Sequence, residues 1–125
     1  MEQNINELTI NGVKYYSQIK EKETSFNENG LKYVLIRGDR SGAFAGFLKE
    51  KSEDSKRVIL TKSRRLWAWY GAASLSQLAI EGVKRPKECK FPCEMHTQEI
   101  TDVIEIIDCT EQAFNSIKSV PVWSA

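Results

Sequence analysis

The segment Ser63–Val83, SRRLWAWYGAASLSQLAIEGV, sets two guanidinium groups (Arg64, Arg65) beside two alternating indoles (Trp67, Trp69) and a phenol (Tyr70). Side chains of an extended chain alternate between faces, so Arg65, Trp67 and Trp69 are expected on one face and Arg64, Leu66, Ala68 and Tyr70 on the other. Guanidinium pairs bidentately with phosphate, and indole stacks on a base, so such a wall suits a planar anion. Gly71, Ser74, Ser76 and the first amides of a following helix would add donors. The same pattern also has a packing explanation. Alternate tryptophans fill cores or subunit interfaces, and Arg65 could simply stack on one of them.

A second anion candidate is RGDRSGAFAG, where Arg37 and Arg40 flank Gly38 and precede Gly42. A phosphate-facing turn would use these residues, yet neither a GxGxxG nor a P-loop pattern is present, and an ordinary hairpin turn fits as well. Cys89, Cys93 and His96, with Cys109 further on, supply enough ligands for tetrahedral zinc, but their spacing matches no standard finger. The expectation is three separate thiols and no cofactor. His96 is the single histidine, and no third group to orient a Cys–His pair is readable. Glu99, Asp102 and Glu105 read as a solvated strand face, so binding is expected rather than catalysis.

These residues must be positioned by a small chain. Its 125 residues suit one domain, and 41% hydrophobic with 28% charged residues is a globular composition. A net charge of +1 gives no bulk attraction for nucleic acid, so any anion site has to come from local clustering. No apolar run is long enough to span a membrane. The polar, acidic start does not read as a secretory leader, and the three cysteines are expected as free thiols in a reducing compartment.

Asn11-Gly12 between apolar flanks predicts a β-hairpin arm, and residues 21–30 read as a linker, giving an arm-plus-linker over 1–30 and a main domain over 31–125. Strands are predicted over 31–38 and 41–51, then over 56–70 as one long strand or two with a break near Ser63. The glycines within 41–51 suggest a bulge or a close backbone approach. Ser74-x-x-Gln77 is a capping box, and Gly82 is a natural helix stop. Residues 84–99 read as loop and 100–109 as strand, while 110–119 read as a helix capped by Thr110. The fold class is therefore α+β: a curved antiparallel sheet, a partly barrel-like meander, with two short helices and an N-terminal β-hairpin arm.

VLIRGDRSGAFAGFLKE, RRLWAWYGAASLSQLAIEGV, CKFPCE and VIEIIDCTEQAFNSIKSVPVW together resemble a family of short bacteriophage-encoded proteins sharing an RRxWxWxGAxSLxQLAxxGV-like signature. The likeness spans about residues 31–123; Asp108 stands where that pattern has proline. The resemblance implies phage origin and action in the host cytoplasm, without naming a reaction.

Together these observations lead to an expected homo-oligomer that sequesters a small phosphorylated, nucleotide-derived ligand without cleaving it, in the phage setting a host-defence signal. Its contacts would be Arg37, Arg40, Arg64, Arg65, Trp67, Trp69, Tyr70, Ser74 and Ser76. The apolar tail Val120–Trp123 and the arm would serve association. A small-barrel module for single-stranded nucleic acid and a phage protein–protein adaptor are the alternatives.

Overall fold

A computed structural model describes residues 25–124. The Asn11-Gly12 hairpin lies outside the described residues. Within them, the Asn29-Gly30 dipeptide makes the first turn: both residues are left-handed (φ 55° and 79°), as a type I′ turn requires. It joins β1 (Asn27–Glu28) to β2 (Leu31–Gly38), so part of the expected linker is a hairpin strand. β3 (Ala43–Lys51), β4 (Val58–Arg65) and β5 (Met95–Ile100) continue the meander, and β6 (Val103–Asp108) returns to pair with β2. All pairings are antiparallel, and the six-stranded sheet is curved without closing into a barrel. Thr101 and Asp102 connect β5, at one end of the sheet, to β6.

β2 is apolar on both faces because both are covered. Tyr33 and Leu35 point into a cluster closed by helices α1 (Leu75–Glu81) and α2 (Glu111–Ser119) through Leu78, Ala79, Ala113 and Ile117. Val34 and Ile36 point into the hollow of the curve, with Phe44, Val58, Leu60, Ile100 and Val103.

The caps read from the sequence are in place. Ser74 accepts from Gln77 N–H, Gln77 accepts from Ala73 N–H, and Thr110 accepts from Ala113 N–H. Gly82 ends α1 with φ 79°, where a Cβ would lie 2.2 Å from that of Ser116. The two helices therefore touch there. Ser116 fixes the contact, accepting from Val83 N–H and donating to Val83 O.

One expectation needs correction, and one open alternative is decided. Met95–Glu99, read as loop, lie in β5, an edge strand whose one buried residue is Ile100; so little burial leaves no alternation to read. The 56–70 segment follows the interrupted rather than the continuous alternative, with a bulge beside Ser63 in place of a break between two strands. A bulge opposite Gly46 puts Lys62 at φ 50°, and β4 stops at Arg65. Beyond it only Ala68 makes a bridge, to Lys90.

Candidate functional site

The bulge decides where the arginines point. Val58 and Leu60 face the hollow, and plain alternation would send Arg64 there too. One extra residue reverses the parity. Arg64 pairs with Ala45 and faces the helices, whereas Arg65 pairs with Phe44 and faces the hollow.

Arg64 is 5% exposed, and its donors are consumed by the protein's own carbonyls. Nη2 donates to Phe91 O at 2.7 Å and Pro121 O at 3.4 Å. Nη1 donates to Val120 O at 2.9 Å and Ile117 O at 3.0 Å, and Nε to Pro92 O at 3.2 Å. This one guanidinium thus fastens the end of α2, the loop at Phe91 and the C-terminal segment. No carboxylate among the described residues comes within ion-pair distance of it; the Glu94 carboxylate acts on it through the field alone.

The Arg64 charge forms part of the wall of a cavity of about 350 Å³ between the sheet and α2. Tyr33, Phe47 and Phe114 give it aromatic walls. Tyr33 meets Phe47 edge-on at 4.9 Å and Phe114 at 4.8 Å, and Phe114 stacks on Phe26 at 4.6 Å. Lys62, carried by the bulge, and Lys118 add two ammonium groups, while Glu28 and Glu94 add acceptors. Val120 and Val122, tied down through Arg64 and through Trp123 N–H to Phe91 O, complete the lining.

Tyr33 is held rigidly. Its N–H donates to Phe26 O and its carbonyl accepts from Cys109 N–H. Only 3% of the residue is exposed, and its hydroxyl has no hydrogen-bond partner among the described residues. Burial holds that hydroxyl protonated well above its ordinary range, outweighing the opposite pull of Arg64.

The other expected contacts are dispersed. Arg65 donates to Ser41 O at 2.6 Å and covers the Phe44 ring at 4.5 Å, lining with Arg40 an open cleft on the far side of the sheet. Arg37 pairs with Glu105 at 3.1 Å. Trp69 packs on the helix-side core, whereas Trp67 is 65% exposed and Tyr70 43%. The shared wall of Arg65, Trp67 and Trp69 does not form, because extended alternation ends at Arg65. Ser74 is occupied as a cap, Ser76 is exposed on α1, and that helix has seven residues.

The turn at Gly38 does hold an anion, and the anion is the protein's own. Asp102 accepts from Arg40 N–H at 2.8 Å, Ser41 N–H at 2.9 Å and Ser41 Oγ at 2.6 Å. Glu99 pairs with Arg57. Cys89 is buried and donates to the Tyr70 and Arg85 carbonyls, Cys109 is buried, and Cys93 is exposed. Among the described residues no three His, Cys, Asp or Glu side chains converge as a metal site would need.

A family model described as a domain of unknown function (DUF6948) matches residues 31–117. The chain belongs to this family. No curated protein and no solved structure matches it. The DUF6948 region contains Tyr33, Phe47, Lys62, Arg64, Glu94 and Phe114, so most of the cavity lies within it. Glu28 precedes that region, and Lys118, Val120 and Val122 follow it. Sequence reasoning missed Tyr33, Phe47, Lys62, Phe114 and Lys118 as site residues. They come from four separated elements, and each has an ordinary local explanation as core aromatic or surface lysine. In the DUF6948 chain no helix of the described residues is long and apolar enough to cross a membrane.

Proposed function

We propose that this protein is a binding protein that holds a small, flat, phosphorylated ligand of nucleotide type without cleaving it. The observation that carries this reading is the cavity against α2. It joins aromatic surface for a base to Lys62, Lys118 and the Arg64 charge for an anion. Arg64 acts through its field, since its N–H groups are already engaged. The resemblance to bacteriophage-encoded proteins supports a setting in the host cytoplasm, where the ligand is a nucleotide-derived defence signal withdrawn from circulation. Assembly into a homo-oligomer, through the exposed Val122 and Trp123 and the N-terminal arm, belongs to the same proposal.

The test is to mix purified protein with cyclic mononucleotides, nucleoside monophosphates and ADP-ribose, remove unbound material, heat the protein and identify what is released. Intact nucleotide is expected from the native chain and much less from Lys118→Ala, whereas Arg65→Ala, on the opposite sheet face, should behave like the native chain. A degraded nucleotide would indicate an enzyme, and no retained nucleotide would end the proposal. Native mass measurement checks the oligomer.

A second reading is favoured by a specific surface. Exposed Trp67 and Tyr70 lie in a segment bridged to Lys90, with Arg85 placed 5.8 Å from the Tyr70 ring. Such a surface suits single-stranded nucleic acid, and binding to a labelled oligonucleotide that falls steeply with salt would establish it. A stoichiometric protein recovered from infected lysate, lost on Trp67→Ala, would instead indicate an adaptor.

A further inference from the structure

We infer that the Tyr33 hydroxyl and the Lys62 ammonium are the polar contacts that make the α2 cavity specific for a nucleoside monophosphate: one base, one ribose, one phosphate. The inference rests on the binding reading above and narrows it. Size comes first. Ligand sites run from about 300 to 1,000 Å³, and a cavity of about 350 Å³ lies at the lower end. One nucleotide suits that space.

Polarity comes next. A phenol that is 3% exposed and unpartnered among the described residues departs from the rule that buried donors are satisfied. A ligand atom in the cavity lined by Tyr33 would supply the missing acceptor. The ring cannot turn away without breaking its edge contacts to Phe47 and Phe114. A fixed donor favours ligands that present an acceptor and penalises those that do not.

Lys62 stands out for its backbone. A non-glycine residue at φ 50° is strained, and here the strained bulge places Lys62 on the cavity lining. Glycine would adopt the same backbone more easily, so Lys62→Gly removes the side chain without adding backbone strain. Phosphate is the part of the ligand that an ammonium recognises, and Lys118 gives it a second positive neighbour. Glu28 and Glu94 are the acceptors available to ribose hydroxyls or an exocyclic amine.

The experiment is calorimetric titration of the native chain, Tyr33→Phe and Lys62→Gly with adenosine, guanosine, cytidine and uridine 5′-monophosphates, and with the matching free nucleosides. The native chain is expected to bind at least one monophosphate about tenfold or more tighter than its nucleoside, and each variant should lose about tenfold. Lys62→Gly is expected to melt no lower than the native chain, so its loss of affinity cannot be laid to unfolding. Monophosphate binding that both variants retain overturns the specificity assignment while leaving the binding reading intact. Equal binding of nucleoside and monophosphate overturns the phosphate assignment. If the native chain binds none of these probes at millimolar concentration but releases a larger intact nucleotide on heating, the size argument is wrong. If it retains no nucleotide of any kind, the binding reading itself falls.

Discussion

Ser41 clasps Asp102: its hydroxyl donates at 2.6 Å to one carboxylate oxygen, and its backbone N–H donates at 2.9 Å to the other. The Asp102 backbone completes the pairing by accepting from Asp39 N–H at 2.8 Å. A turn that reads as an anion site in sequence is thereby a joint between the β2–β3 and β5–β6 connections.

The Ser41 hydroxyl, followed by the Arg40 and Ser41 N–H groups, holds the Asp102 carboxyl below its ordinary value. A group depressed in the folded state contributes stability above its unfolded pKa, lost as pH falls through the folded value. Asp102→Asn should therefore lower the urea midpoint most at neutral pH, and the gap from the native chain should narrow in acid. A gap that stays constant across the titration would show that the charge is not what holds the turn.

Arg64→Ala removes five donors from buried or half-buried carbonyls. Unfolding in guanidinium chloride should show a loss of about 3 kcal/mol or more. Arg64→Lys should recover only part of it, because one ammonium cannot reproduce the planar fork. Amide exchange at Val120–Trp123 should accelerate in both. Unchanged exchange there would mean that Arg64 does not fasten the C-terminal segment.

Two glycines share φ 79° but differ in surroundings. A Cβ on Gly30 would meet nothing within 4 Å, whereas one on Gly82 would collide with Ser116. Gly30→Ala is expected to cost about 1 kcal/mol, from backbone strain alone. Gly82→Ala should cost roughly 3 kcal/mol or more, because α1 and α2 must also separate. Thermal melts of the two variants check this, and equal costs would deny the close helix contact.

The three thiols should react in two classes. Cys93 is exposed, whereas Cys89 and Cys109 are buried. Burial, with the Asp108 charge beside it, pushes the Cys109 thiol up to about 12. With a disulfide reagent at mildly alkaline pH, one fast equivalent is expected from the native protein and the other two only after denaturation.

Local chemistry in the sequence was a good guide wherever one short signal decides an element. Thr110 with Ala113 and Ile117, and Ser74 with Gln77, gave the helices because a cap and a 3.6-residue stripe coincide. The closeness expected at the β3 glycines exists at Gly46, where a Cβ would lie 2.9 Å from that of Ser63. The site was far less legible. Alternation ends at Arg65, so Arg65 does not share a face with Trp67 and Trp69, and Lys62 is not a residue that announces the left-handed backbone of the bulge. Tyr33, Phe47 and Phe114 meet only because β2, β3 and α2 pack together, a relation that no local window contains.

The ladder between β2 and β6 joins residues 34–38 to 103–108 and supplies β2 with most of its second edge. On the ribosome β2 emerges long before β6 exists, so the nascent chain carries Val34, Leu35 and Ile36 with one side of their backbone unpaired. Pairings so distant in sequence close slowly. Translation therefore opens an interval in which this strand is exposed to neighbouring chains and to chaperones, and the arrival of β6 ends it.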